Sequence, residues 1–170
     1  MKVDLVRASK SDQPTLENLL HLHVHDFSEF LGMTPSEQGW FSYPRLPLYW
    51  EDPGRAAFLV RAAGRLAGFA LTSRGSLVSG NPEISDVAEF FVVRGVRRQG
   101  VGRAAAQELF RTAAGTWEVR VLDSNQPAQR FWQRVIEQYT RGQFKLQPWT
   151  REDGSEWHVF RFTNPDAGAA

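Results

Sequence analysis

The chain has no cysteine. That excludes a disulfide framework, a thiolate nucleophile and any cysteine-ligated zinc site, so covalent catalysis would need another group. Long apolar runs are also missing. Neither the N-terminal MKVDLVRASKSDQPTL nor any later segment has the apolar core of a signal peptide or the length of a membrane span. A cytoplasmic protein without a membrane partner is therefore the expectation. Charge of one sign is not in excess either: 20 Lys and Arg stand against 19 Asp and Glu, a net charge of +1. Such a balance gives no general attraction to nucleic acid. No internal repeat or low-complexity block interrupts the chain.

What is present suffices for a core. Over 170 residues, 42% are hydrophobic, which fits one domain. Val3 to Val6 alternates as a first strand, and Ser11-Asp12-Gln13-Pro14 starts a helix that carries Leu16, Leu19, Leu20, Leu22 and Val24 to about Phe27. Ala57 to Val60 and Leu66 to Thr72 flank Ala62-Ala63-Gly64-Arg65 as an antiparallel hairpin, which disfavours an all-parallel sheet. Trp117 to Leu122 reads as a strand, Asp123 to Pro127 as a capped helix start, and Phe144 to Leu146 and Trp157 to Phe162 as late strands. His21 and His25 would share a helix face, yet spacing supplies no third ligand, so they read as ordinary helix residues and no metal is expected.

The most informative stretch is VAEFFVVRGVRRQGVGR, residues 87 to 103. An apolar β-type run leads through a basic connector to Gly100-Val101-Gly102, which opens a helical pattern containing Ala104, Ala105, Ala106, Leu109 and Phe110. A helix start leaves about four amides unpaired and carries partial positive charge, so it attracts anions. Glycines allow close approach, and Arg97, Arg98 and Arg103 add forked donors for phosphate oxygens. The ligand is expected to be a polyphosphate. Gly100-x-Gly102-x-x-Ala105, with Asp123 about twenty residues on, also fits a dinucleotide fingerprint. The intervening segment Arg94 to Gln99 disfavours that alternative, a nicotinamide-dependent enzyme.

Arg97-x-x-Gly100-x-Gly102 after a strand, followed by Asn125-x-x-Ala128 and the aromatic pair Phe131-Trp132, resembles the GNAT family of N-acetyltransferases. The order of elements resembles that family over most of the chain. The resemblance implies an α+β fold whose mixed, mostly antiparallel sheet has about six to seven strands with helices on both faces. It implies one acetyltransferase domain over residues 1–163, followed by a loose tail, 164–170. It further implies acetyl-CoA as acetyl donor and a primary amine, small molecule or peptide, as acceptor. Homodimerisation is left open.

By that resemblance the donor site comprises Phe91, Val92 and Val93 at the strand end, the turn Arg97, Arg98, Gln99, Gly100, Val101, Gly102 and Arg103, and Asn125, Ala128 and Trp132 on the later helix. Asn125 equally reads as a helix cap. The aromatic and acidic residues Asp26, Phe27, Glu29, Tyr49 and Trp50 would shape the acceptor pocket, or else simply pack. Glu89 is the first candidate base: a carboxylate in an apolar strand, on the face of Phe91, able to take the proton of an acceptor ammonium. Asp86, Asp26 and Glu29 are alternatives. Many family members place a tyrosine acid at the position of Trp132. Since indole cannot serve, Tyr139, seven residues on, or water would protonate the leaving thiolate. A noncatalytic acyl-CoA-binding domain is the alternative function.

Overall fold

The computed structural model describes residues 1–164. Seven strands form: β1 (Val3–Arg7), β2 (Arg55–Ala62), β3 (Arg65–Arg74), β4 (Ser85–Val92), β5 (Thr116–Leu122), β6 (Lys145–Thr150) and β7 (Glu156–Thr163). Four α-helices join them: α1 (Gln13–Leu31), α2 (Leu48–Glu51), α3 (Val101–Arg111) and α4 (Gln126–Thr140). They make one sheet of order β1-β2-β3-β4-β5-β7-β6, antiparallel except at β4–β5. This is the expected mixed α+β sheet. Among the described residues no helix is long and apolar enough to cross a membrane.

Local chemistry sets the elements. Ala63 and Gly64 take positive φ in the β2–β3 turn, which suits the right-handed twist of the paired strands. α1 outruns its expected end by four residues and stops only where Gly32 adopts φ 62°. Asn164, expected to open the loose tail, is buried: its Oδ1 accepts from the Tyr139 hydroxyl, and its Nδ2 donates to the carbonyls of Phe110 and Ala113. The rest of that tail, 165–170, lies outside the described residues.

Apolar stripes put helices on both faces. Leu16, Leu19 and Leu20 of α1 and Tyr49 of α2 pack with Leu59, Phe69, Leu71 and Phe91. On the other face, Leu109 and Phe110 of α3 and Trp132, Val135 and Ile136 of α4 pack with Val87, Val119 and Phe160.

Two irregularities in β4 matter for function. Leu71 pairs with Glu89 but Thr72 with Val87, so Ala88 is an extra, bulged residue. Glu89 therefore faces α1 while Val87, two residues earlier, faces α3 and α4. The parallel ladder to β5 is also brief, running from Ser85↔Trp117 only to Val87↔Val119. Beyond it the two strands separate.

Buried ion pairs hold the joined end. Asp86, 1% exposed, accepts two bonds from Arg120, at 2.9 and 2.8 Å. Its register neighbour Glu118, fully buried, is paired with Arg161 and accepts from Ser76 Oγ at 2.6 Å. Burial pushes the Asp86 carboxyl above its ordinary value, against the pull of Arg120. Removing one member of such a pair strands the other charge in low dielectric.

Asp86→Asn should therefore cost about 3–5 kcal/mol in urea unfolding. Gly68→Ala should also destabilise, since its Cβ would lie 2.0 Å from the Phe91 carbonyl oxygen, a clash that displaces β3 from β4. Wild-type stability in both variants would show that neither contact holds the strand pair.

Candidate active site

The separation of β4 from β5 leaves backbone groups without a ladder. The Val93 amide donates to the Ala67 carbonyl at 2.9 Å, on the β3 side. Because successive residues of a strand alternate in the direction of their N–H and C=O groups, Phe91 also turns to β3, while Phe90 and Val92 turn toward the gap. Their amides are thus offered where the β5 ladder has ended. The Val92 carbonyl is engaged, accepting from Arg97 Nε at 2.7 Å. Val93 was expected to offer its backbone to a ligand, and its amide is already taken.

The glycine turn follows. Arg94–Val96 forms one 3-10 turn, Arg98 takes φ 62°, and Gly100, at φ 84°, stands as the N-cap of α3 with no side chain to cap it. Among the described residues, no hydrogen bond satisfies the amides of residues 98–103. Arg98 and Arg103 are exposed beside them, whereas Val101 is buried by its side chain and Gln99 donates to the Gly95 carbonyl. A row of free amides at a helix start, flanked by two free guanidinium groups, fits a pyrophosphate. Gly102 has a packing role as well: a Cβ there would lie 3.1 Å from Phe131.

Asp26 and Arg97 have other partners than expected. The Asp26 carboxylate accepts from Arg94 Nη2 at 2.8 Å and from Arg97 Nη2 at 2.7 Å. It clamps α1 to the turn rather than facing an acceptor, and Arg97 braces the strand end rather than standing free for phosphate. Burial would raise the Asp26 carboxyl, but the bonds and charges of both arginines outweigh it and hold it below the ordinary 3.8.

Glu89 lies under α1. Its Oε2 is 2.8 Å from His23 Nε2, and its Oε1 accepts from the Tyr43 hydroxyl at 3.1 Å. The Glu89 and His23 side chains remain 26% and 13% exposed. Phe27, Phe69 and Phe91 surround the imidazole with ring centroids 5.7–5.8 Å away. Burial, then the Glu89 charge, push the Tyr43 phenol far above its usual value. His21 and His25 do something else: His21 stacks on Trp40 and accepts from the Phe41 amide, and His25 meets Phe41 edge-on.

Several expected residues lie elsewhere. Tyr139 is in the core on the opposite face, against Phe110 and Phe162, with its hydroxyl bonded to Asn164. It cannot reach Glu89. Trp132 is 6% exposed and packs edge-on to Phe90, so it belongs to the core and not to a ligand surface. Tyr49 is likewise buried. Trp50 donates to the Ala8 carbonyl, beyond β1. The register Ala57↔Leu71↔Glu89, with Ala8 bonded to Ala57, puts three strand spacings, about 14 Å, between Ala8 and Glu89. Asn125 caps α4 by accepting from the Ala128 amide at 3.1 Å, and Ala128 itself packs on the core. Glu29 is exposed, and Phe27 packs on His23. His23 and Tyr43 were missed as site residues. His23 was findable, since it continues the apolar series Leu16, Leu20 and Phe27 at helical spacing and so points inward.

The Asp26 clamp gives a pH-dependent test. A carboxyl held below its unfolded value stabilises the fold above that value, and the contribution disappears as pH falls through the folded one. Asp26→Asn should lower stability at pH 7 by no more than about 1 kcal/mol, because the pair is partly solvated. The difference from wild type should narrow at about pH 3, where pH has fallen below the ordinary carboxyl value toward the lowered folded one. Melting curves at both pH values check this, and a gap unchanged between them would discard the clamp.

Known proteins share this fold. The model of the acetyltransferase (GNAT) family matches residues 16–136. Among solved structures, the chain is similar to an acetyltransferase from Thermus thermophilus, with 21% identity, TM-score 0.66 and coverage of 94% of this chain and 96% of that one. A spermidine N-acetyltransferase from Vibrio cholerae, in complex with CoA and spermine, shares 13% identity, TM-score 0.66 and 95% of each chain. The ribosomal-protein-S18-alanine N-acetyltransferase from Escherichia coli shares 15% identity and TM-score 0.60, over 96% of this chain and 94% of that one. At such identities these structures show a common fold. No curated protein sequence matches the chain. The family match spans both the glycine turn and most of α4, and the chain therefore belongs to the acetyltransferase (GNAT) family.

Proposed function

We propose that the protein transfers the acetyl group of acetyl-CoA to a primary amine, with Glu89 as the base. The observation that carries this reading is the continuity of three features along one stretch of chain. A carboxylate faces α1 from β4, free amides follow at the split of β4 from β5, and the uncapped α3 start lies beyond. In that order they suit an acceptor amine, a thioester with its pantetheine arm, and a pyrophosphate.

The Phe90 and Val92 amides are placed to bond the pantetheine arm and to stabilise oxygen charge developing on the thioester carbonyl. Glu89 takes a proton from the acceptor ammonium. The freed nitrogen attacks the carbonyl carbon, the C–S bond breaks, CoA leaves as thiolate, and the nitrogen releases its surplus proton to water as the neutral amide forms. With Tyr139 in the opposite core and Trp132 unable to act as an acid, water protonates the thiolate, which an ordinary thiol pKa near ~8.5 permits. The acceptor is a small-molecule or peptide amine. The Vibrio cholerae structure contains spermine and CoA, which makes polyamines one class to screen beside peptide N-termini.

At acetyl-CoA about a hundredfold above Kd, linkage adds roughly 2.7 kcal/mol, so the melting temperature should rise by several degrees. Arg103→Glu should weaken acetyl-CoA binding at least about tenfold, the loss of one charge-assisted phosphate contact, while leaving the unliganded melting temperature unchanged. Gly102 is unsuited to the test because its substitution disturbs Phe131. Glu89→Gln should keep acetyl-CoA binding but lower CoA release with any active amine by about 10²–10⁴-fold. No melting shift with acetyl-CoA in folded protein would sink the donor site, and wild-type turnover of Glu89→Gln would remove Glu89 as base.

A further inference from the structure

We propose that His23 is a positioning residue for the acetyl transfer: Nε2–H donates to Glu89 Oε2 and, together with the Tyr43 hydroxyl on Oε1, fixes the direction in which the carboxylate receives the acceptor's proton. This rests on the reading of Glu89 as base.

The geometry supports it from three sides. The His23 and Glu89 atoms are 2.8 Å apart, although the two residues are 66 positions apart in sequence and come from different elements. The imidazole is held within Phe27, Phe69 and Phe91, a setting in which its polar edge has few other ways to be satisfied. An ionised carboxylate only accepts, so in its basic form Glu89 requires His23 to present N–H at Nε2, which sets the tautomer. Two fixed donors hold one lone pair on each oxygen and leave the others for the acceptor.

Rotation is the alternative that this arrangement prevents. A free glutamate samples several rotamers, and a base must lie within hydrogen-bond reach of the proton it removes. Arg120, bonded to Asp86 on the same sheet face, adds its charge near Glu89 but donates its bonds elsewhere. It cannot replace His23 as an orienting donor.

The test separates the donor from mere packing. His23→Gln keeps an N–H near the same place, whereas His23→Leu fills the space without a donor. With an amine acceptor identified for the wild-type enzyme, His23→Leu should lose at least about tenfold in kcat, part of the 10²–10⁴-fold a positioned base supplies. Its KM for acetyl-CoA should be unchanged, and His23→Gln should recover most of kcat. Equal losses in the two variants, or none in either, would overturn the proposal. A second arm needs no acceptor: ¹⁵N-labelled wild-type protein should show a slowly exchanging His23 ring N–H resonance that disappears in Glu89→Leu. Its absence from wild type overturns the proposal even if turnover is found. Absence of turnover from wild type with every amine tried, with the resonance present, would instead count against the acetyltransfer reading and thereby against a catalytic role for His23.

Discussion

The parallel ladder between β4 and β5 stops after Val87↔Val119, and the rest of the site depends on where it stops. Had it continued, the amides of Phe90 and Val92 would be consumed by β5 and no groove would open. The bidentate Asp86–Arg120 pair fastens the two strands on the joined side of the stop. Arg120 occupies the first β5 position beyond the ladder, and its side chain reaches back to Asp86. The bulge at Ala88 falls at the same level and turns Glu89 to the α1 face. One short segment therefore ends a ladder, reverses the face of a side chain and frees backbone donors.

α1 ties both halves of the site together. His23 meets Glu89, and three residues later Asp26 meets Arg94 and Arg97 at the glycine turn. Residues three apart lie on one helix face, so the spacing within a single turn determines the distance between the carboxylate and the turn. Arg97 completes the frame by reaching from Asp26 to the Val92 carbonyl. A shift of α1 would thus move the carboxylate's orienting partner and the turn's clamp together.

The fold class was legible because the hairpin, the helix stripes and the glycine turns are local patterns, and local patterns record secondary structure directly. The placement of Glu89 on the face of Phe91 was legible for the same reason, although the bulge at Ala88 was not. What could not be read was which long-range partner each charged residue would find. Asp26 and Trp50 sit close in sequence to His23 and Tyr43, yet they end beside Arg94 and Ala8, because the face of α1 and the path from Gly32 to Pro47 decide where each side chain points. Tyr139 shows the same limit. Helical spacing did place it on the face of Trp132, but that face is core, so its hydroxyl is bonded to Asn164 instead of reaching a leaving group.

That result constrains the chemistry of the last step. The chain has three tyrosines, and two of them, Tyr43 and Tyr49, are near neighbours on the Glu89 side of the sheet. Burial raises both phenols, and the Glu89 charge raises them further. A phenol held that way parts with its proton less readily than free tyrosine, which makes it a poor acid for a thiolate and a dependable fixed donor to a carboxylate. Tyr43 belongs on that argument with His23, as a group that directs Glu89. On the proposed reading of Glu89 as base, departure of the thiolate then rests on its own modest basicity and on water, and the groups around Glu89 serve the attack of the amine.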